Sequence, residues 1–155
     1  MYRFNCFRSE DWFWIRTEEE IRALASDVDK AINIVLGTFD RWSSYSVWPI
    51  VVCGGCHERE TGYETFSGGE YPWRDGWVEN LLKDFKEEEA QLDGGWFCYL
   101  NFDEIIVTIM GYYGPIMLQF YRGEMIVTVS YDDDDKEKEQ ELLDKFEEAF
   151  GKADG

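Results

Sequence analysis

Residues 96–131 read WFCYLNFDEIIVTIMGYYGPIMLQFYRGEMIVTVSY, and this stretch decides the fold. Ile105, Val107 and Ile109 alternate onto one face, as do Ile116, Leu118 and Phe120, and then Met125, Val127 and Val129, so apolar residues recur with a strict period of two. Between them stand Ile106, Thr108, Met110, Met117, Gln119, Tyr121, Ile126, Thr128 and Ser130, a mixed set. That contrast predicts an antiparallel sheet with helices on one side and water or a partner on the other. Gly111, Gly114 and Pro115 mark one turn and Arg122-Gly123 the next. The segments 96–102, 104–110, 116–122 and 124–130 therefore read as a β-meander of short strands.

Working outward, MYRFNCF and DWFWIR are expected to form an N-terminal β-hairpin through Arg8-Ser9-Glu10, with Tyr2, Phe4 and Cys6 alternating in the first strand and Trp12 and Trp14 in the second. Thr17 and Glu20 have capping-box spacing, in which the hydroxyl takes a free backbone N–H and the carboxylate reaches back. The helix they open carries Ile21, Leu24, Ala25, Val28, Ile32, Val35 and Leu36 on one stripe, with Gly37 placed to end it. Residues 41–53 read as a strand whose middle, at Pro49, is an edge or a bulge. From Gly54 to about Arg74 no periodicity is visible, which predicts a long loop and a candidate binding surface. Asp75 is placed to cap a second helix with Trp77, Val78, Leu81, Leu82 and Phe85 inward and Glu87, Glu88 and Glu89 in its last turns. Acids at that end oppose the helix dipole. Asp132 to Asp135 lead into a third helix with Leu142, Leu143, Phe146 and Phe150 inward, Glu141 and Lys145 at i, i+4, and Gly151 as cap. The expectation is a single α+β domain over residues 1–155, with the three amphipathic helices packed on the sheet.

The 155 residues suffice to bury roughly two-thirds of the unfolded surface without staples. The four cysteines (Cys6, Cys53, Cys56, Cys98) are thinly spread, and Arg3, Asn5 and Arg8 interrupt any leader-like apolar run at the N-terminus, so a cytoplasmic protein with reduced thiols is expected. No apolar segment approaches the ~20 residues that span a bilayer. Thirty-three acidic against fifteen basic residues give a net charge of −18. The excess is concentrated: 61–95 holds nine acids and three bases, and 132–155 eleven acids and four bases. Such a field repels nucleic acid and anionic membranes and speeds encounter with basic proteins. Direct nucleic-acid binding is not expected, since there is no basic patch to release counterions from phosphates.

Cys53-Gly54-Gly55-Cys56-His57 admits a c-type haem site, a thiol redox pair or a zinc site. Zinc would need a fourth ligand beyond Cys53, Cys56 and His57, and a lone CxxC without a matching half is weak evidence, so no cofactor and no stoichiometric zinc is expected. Asp132 to Asp135 lack the alternating ligands and central glycine of a calcium loop. With one histidine, no G-x-S-x-G elbow and no phosphate-binding glycine loop, nucleophilic catalysis has no motif, and an enzyme is not expected. Phe66, Tyr71 and Trp73 fall outside the periodic faces and are candidate interface anchors.

Together these features resemble, in character and not by any family motif, small phage anti-defence proteins such as inhibitors of CRISPR or restriction complexes, or immunity proteins of nuclease toxins. That resemblance implies a non-enzymatic acidic inhibitor that imitates nucleic acid to a basic nuclease or nucleoprotein partner. Its expected contacts are Glu87, Glu88, Glu89, Asp132, Asp133, Asp134, Asp135, Phe66, Tyr71 and Trp73. The alternatives are a zinc or thiol-redox module on Cys53, Cys56 and His57, and a carboxylate-dependent hydrolase built on the 54–76 loop.

Overall fold

The computed structural model describes residues 1–10, 15–39, 42–54, 63–67, 71–73, 76–90, 99–111, 115–129 and 136–151. Along them run β1 (Tyr2–Asn5), α1 (Glu18–Thr38), β2 (Trp42–Gly54), β3 (Tyr63–Ser67), β4 (Tyr71–Pro72), α2 (Trp77–Ala90), β5 (Tyr99–Gly111), β6 (Ile116–Tyr121), β7 (Glu124–Val129) and α3 (Lys136–Phe150). The strands form one antiparallel sheet in the order β1-β7-β6-β5-β2-β3, with β4 also paired to β2. The fold is α+β, as the alternation predicts.

Val47, Val107, Leu118 and Val127 lie in one cross-strand row, and Ile105, Phe120, Met125 and Phe4 in another. These residues are buried. The helices pack over them on the same side: Phe85 of α2 stacks on Phe102 at 4.9 Å, and Phe146 of α3 meets Phe4 at 5.4 Å. Between α2 and α3 lies α1, whose Val28, Ile32 and Val35 are fully enclosed.

Residues 99–102 and 104–110, expected in separate strands, are joined in β5, and 96–98 lie outside the described residues. Ile50 pairs with Glu104 but Val51 with Phe102, which leaves Asp103 as the extra residue of a bulge. A bulge shifts the alternation by one. Hence Leu100 and Phe102 point inward before it and Ile105, Val107 and Ile109 after it, and that change of phase made one strand read as two. On β2, Pro49 falls where the outer neighbour changes from β4, at Ser46 and Val47, to β3, at Ile50 to Gly54, next to the bulge. A residue without an N–H is tolerated at such a place.

The N-terminal hairpin is corrected. β1 takes β7 as its partner, Cys6 continues that edge by donating its N–H to Gly123 O at 2.8 Å, and Phe7 N–H then donates to the Asp27 carboxylate of α1 at 2.6 Å. These two bonds tie the segment after β1 to the β6–β7 turn and to α1. Of the second expected strand, 11–14 lie outside the described residues and Ile15 bridges Phe102. The turn at Arg122-Gly123 is as expected, with φ of 49° and 87°, the two left-handed residues that a tight hairpin requires. A Cβ on Gly123 would stand 3.1 Å from Arg8 Cβ.

The capping box is present: Thr17 Oγ1 accepts from Glu20 N at 3.2 Å, and Thr17 N donates to Glu20 Oε1 at 3.1 Å. Gly37 does not stop the helix, which runs to Thr38 and ends at an extended Phe39. Lys145 of α3 donates to Thr38 Oγ1 at 3.1 Å while bridging Glu141 at 3.3 Å, so α3 supplies the cation that the last turn of α1 lacks. Gly151, at φ 94°, closes α3 through an N–H bond to Glu147 O. No helix among the described residues is long and apolar enough to cross a membrane.

Candidate acidic binding surface

Each helix buries one stripe against the sheet, so its charged residues must face outward. The three helices carry sixteen carboxylates against seven bases, and four of those bases are spent locally. Arg22 bridges Glu18 at 3.0 Å and Glu79 at 2.8 Å, Lys86 bridges Glu18, and Lys138 and Lys145 both reach Glu141. Hydrogen bonds from Arg22 hold the Glu18 and Glu79 carboxyls below their usual range, and Lys145 does the same for Glu141. The acids with no described cation beside them are then grouped. Glu87 and Glu88 lie exposed in the last turns of α2, and Glu137, Asp144, Glu147 and Glu148 lie exposed along α3. Neither helix has a basic residue in its final turn.

On α3 the outward line is Glu137, Glu141, Asp144 and Glu148, steps of four, three and four residues that keep the side chains on one face. At 1.5 Å rise per residue the line is about 16 Å long. Its spacing was visible in the sequence. In the sequence it is overshadowed by the run of four aspartates just before the helix, which carries the denser charge.

Of the expected contact residues, Glu87 and Glu88 are exposed and Glu89 is half-buried. Tyr71 lies beside them: it is half-buried, donates its hydroxyl to Asp84 at 2.5 Å, and lines a shallow depression with Pro49, Leu81 and Glu88. Burial, the Asp84 hydrogen bond and the nearby Glu88 charge all push its phenol well above the ordinary value. Trp73 is turned inward, its ring edge-on to Tyr45 at 5.7 Å and its indole N–H donating to Asp29 at 2.7 Å. Phe66 sits on β3 opposite Val51. The supposed structureless run therefore contains two strands, β3 and β4, which are held by backbone pairing to β2 and are too short to show a period. Asp75, the expected cap of α2, and Asp132 to Asp135 lie outside the described residues.

Of the cysteine cluster, Cys53 pairs through its backbone with Leu100 and Glu64, while Cys56 and His57 lie outside the described residues. Among the described residues no group of three His, Cys, Asp or Glu side chains could hold a metal ion. Cys6 is a free thiol which burial, reinforced by the charges of Asp27 and Glu124, pushes up to about 12.

Compared with protein-family models, curated proteins and solved structures, the chain matches none of them.

Proposed function

We propose that the chain is a non-enzymatic acidic binding protein that occupies the phosphate-binding surface of a basic, nucleic-acid-processing partner, a nuclease or a nucleoprotein effector, and thereby inhibits it. Phage anti-defence and toxin immunity are the two settings in which such a protein works. The observation that carries this reading is the outward grouping of unneutralised carboxylates on α2 and α3, while every helix ion pair among the described residues falls on Glu18, Glu79 or Glu141. Carboxylates repeated along a rigid helix offer what a phosphate backbone offers a basic groove, a line of negative charge at fixed spacing. Glu87, Glu88 and Glu89 form one contact, with Tyr71 beside them as aromatic support. Asp132 to Asp135, which precede α3 in the sequence, are the second expected contact.

The experiment is affinity capture from a nuclease-treated lysate at low and high salt. A basic protein retained at low salt and lost at high salt is the expected result. Recovery of no basic protein, or binding indifferent to salt and to reversal of Glu87, Glu88 and Glu89 to lysine, would reduce the acidity to a solubility device.

A further inference from the structure

All three helices pack on one face of the sheet, and no described element lies over the other. That second face holds every large hydrophobic side chain that is exposed among the described residues, apart from Met1: Trp48 at 43%, Met110 at 40% and Met117 at 43%. Register places them together. Trp48 pairs with Ile106, Met117 with Thr108, and Ile106 with Gln119, which in turn faces Ile126. The positions between them on β2, β5, β6 and β7 are serine, threonine and glutamine, so the centre of the face carries no ionisable group. Charge returns only at the margin, with Glu104, bonded by Gln119 at 2.6 Å, and the Arg3–Glu124 pair at 3.5 Å. In a chain that is 31% charged, an uncharged apolar centre four strands wide is the exception.

We infer that this face is where a second copy of the chain docks, sheet against sheet about a two-fold axis. Charge selects the occupant. A basic protein finds its complement on the helices and nothing to pair with here, whereas an identical uncharged face matches this one by symmetry. Packing sheet to sheet also turns the two acidic helix layers outward, as far apart as the assembly allows, and leaves both open. Area sets the strength. Four strands at ~4.8 Å spacing and six residues at ~3.4 Å rise give roughly 400 Å² in projection per copy, about half of what a long-lived interface buries on each partner. The dimer is therefore weak and concentration-dependent.

The test is sedimentation equilibrium of the full chain from about 5 to 500 µM, the span in which weak dimers form, at low and high salt. The mass should rise from 18.3 kDa toward twice that value. Two bodies of net charge −18 repel, so added salt should strengthen self-association. That is the opposite sign from the salt effect on a basic partner, and the two readings can fail independently. Met117→Lys and Trp48→Lys, made separately and checked by circular dichroism, should each raise the concentration at mid-association about tenfold or more. A monomer at every concentration and salt, self-association weakened by salt, or a dimer untouched by both folded variants would overturn the inference. So would loss of a different captured protein from the lysine variants of a chain that stays monomeric. If neither variant folds, the salt response of the unaltered chain still decides.

Discussion

The Asp29 carboxylate of α1 accepts the indole N–H of Trp73 at 2.7 Å, and the same oxygen accepts the Trp77 indole at 2.8 Å. One side chain thus ties α1 both to the segment after β4 and to the first residue of α2, and it holds the flank on which Glu87, Glu88 and Tyr71 sit. Asp29→Ala leaves two indole donors without a partner, one of them on the 3% exposed Trp77. The expected cost is about 2–3 kcal/mol in denaturant unfolding, with a change in tryptophan emission. Asp29→Asn, which keeps an acceptor oxygen, should lose less. Equal stability of the alanine variant would show that the clamp holds nothing.

Glu20 joins the capping box to the preceding segment, since Ser9 donates its hydroxyl to the other carboxylate oxygen. Burial pushes this carboxyl up, but the bonds from Ser9, Thr17 and Arg16 outweigh it and leave the group below its usual range. A folded-state pKa below the unfolded one stabilises above the unfolded value, and that stability is lost as pH falls through the folded value. Glu20→Gln should therefore cost about 1 kcal/mol at neutral pH, and the gap to the unaltered chain should close below about pH 4. Unfolding curves at pH 7 and pH 3 check this, and a gap of the same size at both would contradict it.

The sheet was legible because the apolar residues of each segment between Ile105 and Val129 alternate with period two, and α1 because Thr17, Glu20 and the Ile21 to Val35 stripe agree with one another. What was hidden depended on distant partners. The pairing of β1 with β7 rests on residues more than a hundred positions apart, such as Phe4 and Met125. β3 and β4, five and two residues long, show no period of their own and exist through β2. The inward turn of Trp73 is set by Asp29, 44 positions earlier, and by Tyr45, neither of which marks the tryptophan in sequence. The acid groups on α2 and α3 were half legible. Composition located the excess, but only the ion pairs of Arg22, Lys86, Lys138 and Lys145 separate neutralised carboxylates from the rest.

Cys6 should behave as an inert thiol. Pushed up to about 12, it carries almost no thiolate at neutral pH, and the thiolate is the reactive form. Alkylation mapped by mass spectrometry should leave Cys6 unlabelled in the native chain and label it on unfolding. Rapid native labelling at that position would mean that the segment after β1 is open to solvent.

The central claim is mimicry, and competition tests it most directly. The partner captured from lysate is bound to a short labelled duplex, and the chain is then titrated in at low and physiological salt. The account predicts that the chain displaces the duplex without binding it, and that reversal of Glu87, Glu88 and Glu89 to lysine slows association and weakens displacement by about tenfold or more. A ternary complex of partner, duplex and chain, or displacement unaffected by the triple reversal, would contradict it.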